Sequence, residues 1–487
     1  MNTAIIRFIL GHVLKIEGLF LFLPAIVSGI YQEHEGFYFV GVASVSLLLG
    51  FIMTKKTPKS QVFYLKEGCI ATSLSWILLS FFGCLPFYLS GEIPSFTDAM
   101  FETISGFTTT GATILSDVEG LSYCALFWRS FTHWIGGMGV LVFLLAVIPL
   151  SGGSHINLMR AESPGPSVGK LVPKIRYTAQ ILYLIYFVMT VLECILLLIG
   201  GMPLFDALTT SFGTAGTGGF GIKNDSFVSY SPYLQWVVTI FMMLFGINFN
   251  AYYLILFGTI KKALSIEEVR VYIGIIIAAV GVIFFNVLGT CGSIFETLTH
   301  SSFQVISIMT TTGFSSVEFN LWPQASKTIL VLLMFIGACA GSTGGGIKVS
   351  RLIILFKTLF KELNSYIHPK IVKKIKMDGK PVEHDIMRST NVYFITFMII
   401  FTISVLAVSF EDKDLVTNFT AVIATLNNIG PGLELAGPTQ NFGHFSIFSK
   451  YVLMFDMLAG RLELFPLLIL FHPSAWKDFF TKRVSPK

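Results

Sequence analysis

Four short polar segments that end in glycine are the residues of this chain with the clearest potential for chemistry. The sequence Thr-Thr-Thr-Gly occupies residues 108–111 and returns unchanged at 310–313. Residues 217–219 and 428–430 read as degenerate copies, Thr-Gly-Gly and Asn-Ile-Gly. Rings of backbone carbonyls from such loops can replace the hydration shell of a bare cation. The pattern therefore points to an ion-binding filter built from four loops.

The loops need elements that hold them at membrane depth, and short helical stretches precede all four. We predict half-helices at about 95–107, 204–215, 295–308 and 415–426. Each is about three turns long, too short to cross a hydrocarbon core of roughly 30 Å. If they enter from outside, the negative ends of their dipoles face the membrane centre and favour a cation there. A packing loop without an ion is the alternative, and four copies in matching positions argue against it.

Acidic residues on the half-helices have two possible roles. Asp98, Asp206 and Glu296 lie near the predicted N-termini, where a carboxylate compensates the helix dipole. Glu102 lies further along its half-helix, so we expect it to brace the filter from behind.

The composition requires a membrane setting. Of the 487 residues, 53% are hydrophobic and only 13% are charged, against roughly 25% charged in soluble domains, and the mean hydropathy is +0.74. About ten apolar spans are predicted, at 5–31, 37–54, 69–90, 124–148, 177–199, 232–259, 269–290, 326–355, 386–409 and 447–471. The net charge of +5 lies mainly in loops, which argues against nucleic acid as a partner.

The predicted fold is an all-α polytopic membrane protein, with four repeats around one pore after an N-terminal helix pair. Each repeat runs helix, pore half-helix, filter loop, helix. The predicted boundaries are 1–66 for the N-terminal pair and 67–150, 177–262, 268–360 and 385–475 for pore repeats 1 to 4. Lys and Arg cluster after every second span, so the positive-inside rule places both termini in the cytoplasm.

Two further features lie in the predicted inner helices of repeats 3 and 4. Five glycines between Gly337 and Gly346 would each disfavour helix by about 1 kcal/mol, so we predict a break that forms an intramembrane loop. Close helix packing through small residues is the alternative. Arg461 lies in the middle of the last predicted span, where a charge costs about 2.5–3.5 kcal/mol on insertion scales. It is a candidate for an electrostatic barrier, with a structural ion pair as the alternative.

Six motifs make the chain resemble the Trk, Ktr and HKT superfamily of potassium transporters, and most of all its bacterial TrkH type. They are FETISGFTTTGAT at 101–113, WRSFTHWIGGMG at 128–139, RAESPGP at 160–166, GSTGGGIK at 341–348, NNIGPG at 427–432 and GRLE at 460–463. The motifs are spread through the chain, so the resemblance covers nearly all of it. The extra leading helix pair adds to the likeness.

The resemblance implies potassium uptake through a carbonyl-lined selectivity filter, gated by the intramembrane loop and by a regulatory subunit. The implied filter residues are Thr109, Thr110, Gly111, Gly218, Gly219, Thr312, Gly313, Ile429 and Gly430. The implied gate residues are Gly341, Gly344, Gly345, Gly346 and Lys348, and Arg461 would be the barrier beneath the filter. All four filter glycines are present, which by resemblance implies K⁺ as the transported ion.

The resemblance also implies partners and a location. They are a homodimer in the bilayer of the bacterial inner membrane and a cytosolic nucleotide-binding regulatory subunit of the TrkA type. ATP or NAD would bind to that subunit, and no organic cofactor is expected in this chain.

A coupled transporter remains open as a second class, in which protons or sodium move with potassium during alternating access. Four repeats of one direction favour a pore instead. An enzyme is not expected, since the sequence holds neither an HExxH zinc motif nor a Walker A motif. The GxGxxG match at 216–221 lacks the strand and helix that a dinucleotide site requires.

Overall fold

The computed structural model describes residues 2–58, 64–139, 175–290, 292–369 and 374–476. Helices dominate, because a helix satisfies its own backbone hydrogen bonds in lipid. In chain order they are α1 (Thr3–Phe20), α2 (Phe22–Tyr31), α3 (Gly36–Thr54), α4 (Leu65–Ser90), α5 (Phe96–Phe107), α6 (Tyr123–Met138), α7 (Ile175–Ile199), α8 (Leu204–Gly216), α9 (Pro232–Phe245), α10 (Phe249–Leu256), α11 (Ile260–Ser265), α12 (Glu267–Val287), α13 (Ile294–Met309), α14 (Gln324–Ile336), α15 (Val349–Ile367), α16 (His384–Val408), α17 (Leu415–Leu426), α18 (Ile447–Arg461) and α19 (Phe465–Phe471). Strands β1 (Lys376–Met377) and β2 (Lys380–Pro381) form a short antiparallel hairpin. The predicted all-α polytopic fold is confirmed, and the motif at 160–166 lies outside the described residues.

Six helical segments among the described residues are long and apolar enough to cross a bilayer. They are Thr3–Tyr31, Gly36–Thr54, Leu65–Ser90, Ala179–Ile199, Glu267–Val287 and His384–Glu411. The bent pair α9 and α10 makes a seventh if it is taken as one span. Of the other three predicted spans, 124–148 continues beyond the described residues, and 326–355 and 447–471 are each divided into two helices.

Short helices stand at all four places where half-helices were predicted, namely α5, α8, α13 and α17. Ser95, Ser293 and Asp414 cap three of them, each accepting a hydrogen bond from the backbone N–H three residues later. The fourth, α8, begins directly after Pro203. At 12 to 16 residues, these helices extend about 18–24 Å, less than the roughly 30 Å of a hydrocarbon core.

Within the described residues, three of the predicted spans contain breaks of three residues or more, and only one of these breaks was predicted. The glycine-rich segment separates α14, which ends at Ile336, from α15, which begins at Val349, as the glycine content predicted. The predicted unbroken span 232–259 is wrong, since α9 and α10 meet at 90°. The predicted unbroken span 447–471 is also wrong, because Glu463 and Leu464 adopt positive φ between α18 and α19. Each break frees backbone groups that need partners within the protein.

The N-terminal helices α1 and α3 pack closely through glycine. A Cβ atom at Gly50 would lie 2.7 Å from the carbonyl oxygen of Gly11, and one at Gly18 would lie 3.0 Å from that of Ala43. Small residues allow such close backbone approach between membrane helices. The boundaries of the N-terminal pair and of the four repeats stay a prediction.

Candidate ion filter and gate

Each half-helix ends in the same backbone motif. The residues with left-handed backbone at this end are Thr109, Thr217, Thr311 and Asn428, with φ from 52° to 58°. In all four copies the N–H of the next residue donates to the carbonyl five positions back, at 2.8–2.9 Å, which is the Schellman arrangement. Asparagine enters the left-handed region more readily than most residues. The fourth loop therefore keeps the backbone of the other three although its sequence differs.

A second left-handed residue follows two positions later, and it is glycine in every copy. Gly111, Gly219, Gly313 and Gly430 have φ of 77°, 76°, 88° and 102°. Glycine populates this region without the cost that a Cβ atom imposes. Each loop thus has two left-handed residues separated by one other residue. The glycine indicates the second of these positions in the sequence, but a threonine does not indicate the first.

The four loops meet in a closed ring. A Cβ atom at Gly111 would overlap the carbonyl oxygen of Gly218 in the second loop. The corresponding atoms at Gly219 and Gly313 would overlap the carbonyl oxygens of Thr312 and Ile429. The contacts return to the first loop, because a Cβ atom at Gly430 would lie 2.8 Å from the carbonyl oxygen of Thr110. The structure therefore brings together the residues predicted for the filter, except that Thr109 lies one residue before these contacts, beside Arg461.

Glu102 holds the first loop from behind, where it was expected. Its Oε1 lies 2.5 Å from Nε of Arg129, and its Oε2 accepts the backbone N–H of Ile114 at 3.0 Å. The Thr113 hydroxyl donates to Oε1 at 3.0 Å. Arg129 in turn donates through Nη1 to the carbonyl of Gly221 at 2.7 Å. One buried ion pair thus connects the exits of the first and second loops.

The third loop repeats this support with neutral groups. Gln304 and Ser315 follow Glu102 and Thr113 by 202 positions, the same offset that separates Gly313 from Gly111. Gln304 Nε2 donates to the Ser315 hydroxyl at 3.2 Å. In both copies a half-helix side chain is hydrogen-bonded to a hydroxyl at the loop exit, but the hydroxyl donates to Glu102 in the first copy and accepts from Gln304 in the third.

His133 connects the first half-helix to the second loop. Its Nε2 accepts the backbone N–H of Phe220 at 3.2 Å, so its Nδ1 donates to the carbonyl of Gly106 at 2.7 Å. The imidazole is completely buried. It is a hydrogen-bonding residue of the interior.

The glycine-rich loop, residues 337–348, lies directly against the ring. The N–H of Gly345 donates to the Thr311 hydroxyl at 2.6 Å. A Cβ atom at Gly345 would overlap the carbonyl oxygen of Asn427, and one at Gly344 would lie 2.9 Å from that of Thr310. These contacts leave no room for a side chain, which explains glycine at both positions. The alternative of a continuous helix packed through small residues is wrong, since α14 ends before this segment.

Lys348 closes the loop on itself. Its side chain is 2% exposed, and its φ of 81° is left-handed. The ammonium donates to the carbonyl of Gly345 at 3.1 Å and also to that of Gly344. The buried side chain of Lys348 thereby satisfies the backbone carbonyls of Gly344 and Gly345.

Arg461 ends α18 and does not lie within an unbroken span. Its Nη1 donates to the carbonyl of Thr343 in the glycine-rich loop at 3.0 Å. Its Nη2 donates to the carbonyl of Gly137 at 2.7 Å and to that of Gly136, both near the end of α6. Nη1 also lies 3.4 Å from the hydroxyl of Thr109. The guanidinium thus joins the first loop, the glycine-rich loop and the end of α6.

The other charged members of this region form pairs of their own. Glu463, two residues after Arg461, pairs with Arg351 of α15. Asp98 lies in the first turn of α5 and forms an ion pair of 2.6 Å with Lys450 of α18. The expected position of Asp206 and Glu296 in the first turns of α8 and α13 is confirmed.

Two residues that sequence reasoning missed support the glycine-rich loop. Asn248 lies at the bend between α9 and α10, where it caps α10 by accepting the N–H of Asn250 at 2.9 Å. Glycine at 246 followed by an Asn cap is a helix stop and start signal, so this bend was detectable. Glu268, in the first turn of α12, accepts hydrogen bonds from the loop. Glu267 is its neighbour in the sequence, and the sequence alone does not indicate which of the two acids contacts the loop.

Comparison with known proteins gives one consistent family. The family model described as "TrkH: Cation transport protein" matches residues 38–480. The Trk system potassium uptake protein TrkH of Salmonella typhimurium is 36% identical over 491 residues, covering 98% of this chain and 100% of the relative. The Trk system potassium uptake protein TrkG of Escherichia coli is 32% identical, with the same coverage.

A solved structure agrees with this relationship. The crystal structure of the potassium transporter TrkH from Vibrio parahaemolyticus superposes with a TM-score of 0.88 at 32% identity. The match covers 98% of this chain and 100% of that one. Together with the membrane-length helices, these likenesses establish that the chain is a multi-pass membrane protein and belongs to the TrkH family of cation transport proteins.

Proposed function

We propose that this chain carries potassium ions into the cell through the ring of four loops. The closed ring supports the proposal, because the carbonyl oxygens of Gly218, Thr312, Ile429 and Thr110 each lie against a glycine of the neighbouring loop. Backbone carbonyls in such a ring can replace the hydration shell of K⁺. The names of the relatives, which are potassium uptake proteins, support the same ion.

The gate in this proposal is the glycine-rich loop, which must move away from the ring before ions can pass. Its contacts with Thr311 and Asn427 support a closed arrangement in the described structure. Arg461 adds a positive charge beside the loop and so raises the electrostatic barrier to a cation. Lys348 stabilises the closed loop, because its ammonium binds the backbone carbonyl of Gly345 in the same loop.

Flux measurement in proteoliposomes tests the proposal. The purified chain is reconstituted in K⁺-loaded vesicles, and the reversal potential is measured under K⁺, Na⁺ and pH gradients. We expect it to follow the K⁺ gradient. No K⁺ flux above that of empty vesicles would overturn the proposal, and a reversal potential that shifts with pH or Na⁺ would establish the coupled symporter instead.

Partners and location complete the proposal. We infer a homodimer in the bacterial inner membrane, with both termini in the cytoplasm and a nucleotide-binding subunit of the TrkA type on that side. Native mass spectrometry in detergent tests the dimer, and a purely monomeric spectrum at the concentrations used for flux would contradict it.

A further inference from the structure

Glu268 connects the first part of the glycine-rich loop to the start of α15. The side chain is 3% exposed, and its Oε1 accepts the backbone N–H of Ala340 at 2.6 Å and that of Ser350 at 3.0 Å. Ala340 directly precedes Gly341, and Ser350 is the second residue of α15. One carboxylate oxygen therefore holds both sides of the segment 341–349, which contains Gly344, Gly345 and Gly346. The neighbouring Glu267 pairs with Lys357 instead.

The same carboxylate reaches the break in the inner helix of the second repeat. Its Oε2 accepts from Nδ2 of Asn248 at 3.4 Å. The backbones of the two breaks also bond to each other, with the N–H of Cys339 donating to the carbonyl of Gly246 at 3.1 Å and the N–H of Phe249 donating to that of Gly341 at 3.0 Å. The two broken inner helices thus interlock, and Glu268 contacts both of them.

We propose that Glu268 is a positioning residue that latches the glycine-rich loop in its closed arrangement against the ring. The inference rests on the proposed role of this loop as the gate. Hydrogen bonds to an ionised acceptor are stronger than neutral ones, and a buried carboxylate that loses its donors bears a large desolvation cost. Movement of Ala340 away from Ser350 breaks at least one of the two bonds, so Glu268 shifts the equilibrium towards the closed loop.

The proposal requires the Glu268 side chain to be long enough to accept from both Ala340 and Ser350. Three variants distinguish the effect of its length from that of its charge. Glu268→Asp keeps the charge but is one methylene shorter, so it cannot span both donors. Glu268→Gln keeps the length and an acceptor oxygen but loses the charge. Glu267→Gln removes a charge from the adjacent residue, which contacts Lys357 of α15 and not the loop.

K⁺ flux in proteoliposomes without a regulatory subunit is the primary readout. We expect Glu268→Asp to raise it about tenfold, the change that follows from the loss of one hydrogen bond to a charged group. Glu268→Gln keeps the reach but makes its hydrogen bonds neutral, so it should raise flux less than Glu268→Asp does. Glu267→Gln should stay within about twofold of the unmodified chain. The K⁺ to Na⁺ permeability ratio should be the same in all four proteins, because the latch does not touch the ring.

The native thiol of Cys339 gives an independent measurement of loop position. It is completely buried in the loop, and it is isolated by replacing the other five cysteines with alanine. A water-soluble thiol reagent should label Cys339 faster in Glu268→Asp than in Glu268→Gln or the unmodified loop. If Glu268→Asp is not recovered folded, Asn248→Asp replaces it. That variant keeps the cap of α10 and places a carboxylate against Glu268, so it should raise both flux and labelling.

The outcomes are distinguishable. K⁺ flux by the unmodified chain with unchanged flux and labelling in Glu268→Asp overturns the latch alone. If Glu268→Gln raises K⁺ flux and Cys339 labelling but Glu268→Asp does not, the latch is also overturned, since the charge and not the length of the side chain would then matter. No K⁺ flux by the unmodified chain overturns the proposed function itself.

Discussion

The Nε atom of Arg129 lies 2.5 Å from Oε1 of Glu102, and both side chains are buried behind the first filter loop. The guanidinium also stacks over the ring of Phe220 at 3.7 Å and donates to the carbonyl of Gly221. Glu102 belongs to the first half-helix, and Phe220 follows the second loop. Because Arg129 contacts both residues, it fixes the first and second loops relative to each other. The position of the ring carbonyls therefore depends on an ion pair that lies behind the loops.

Glu102→Ala is expected to lower the free energy of unfolding by about 3–5 kcal/mol, because it leaves Arg129 buried and unpaired. Thermal melting in detergent measures this, and the K⁺ to Na⁺ permeability ratio should fall with it. Glu296→Ala is the control, since Glu296 is half exposed and lies 3.9 Å from His300. Its effect should stay below about 1 kcal/mol. Equal melting temperatures for the two variants would contradict the argument.

Gly219→Ala is expected to abolish K⁺ flux, since the new Cβ atom would overlap the carbonyl oxygen of Thr312. Gly201→Ala is a matched control. Gly201 has φ of 83°, against 76° for Gly219, but a Cβ atom there meets nothing within 4 Å. Both variants bear the left-handed strain of about 1–2 kcal/mol, and only one disturbs the ring. Equal K⁺ flux in the two variants would show that the ring contact is unimportant.

The sequence predicted what local composition encodes. The half-helices, the filter glycines and the break before Lys348 all follow from short-range signals such as caps, helix length and glycine content. The bend at Asn248 carried a local signal too, which the high hydropathy of the segment concealed. The break after Arg461 carried no local signal in the sequence, because Glu463 and Leu464 are residues that commonly occur within helices and adopt positive φ here.

The support around the filter could not be predicted from local patterns, because it depends on contacts between distant segments. Arg129 and Glu102 are 27 residues apart, and Glu268 and Ala340 are 72 apart. A single sequence does not state which buried acid meets which donor. The fourth loop is the opposite case, since Asn428 looks divergent in sequence and preserves the backbone of Thr109.

Asn428→Ala is expected to loosen the fourth loop. Asn428 Nδ2 donates to the Thr110 hydroxyl at 3.0 Å and to the carbonyl of Met457 at 2.9 Å. The loss of two buried hydrogen bonds should lower the free energy of unfolding by about 1–3 kcal/mol. The K⁺ to Na⁺ permeability ratio should fall as well, because Thr110 contributes a ring carbonyl. Asn441→Ala, outside the ring, serves as the control for loss of an amide, and a selectivity loss of the same size there would contradict the prediction.

Arg461→Gln is expected to raise K⁺ conductance, since it removes a positive charge that lies within 3.4 Å of Thr109 in the filter loop. The rate should rise roughly fivefold for each 1 kcal/mol of barrier that is removed. Glutamine retains donors for the carbonyls of Thr343 and Gly137, which limits the structural damage. Single-channel recording in planar bilayers measures the change, and Lys450→Gln is the control on the same helix, since Lys450 pairs with Asp98 at the other end. A stable Arg461→Gln protein with unchanged conductance would instead assign Arg461 the structural role of holding Thr343 and Gly137 together.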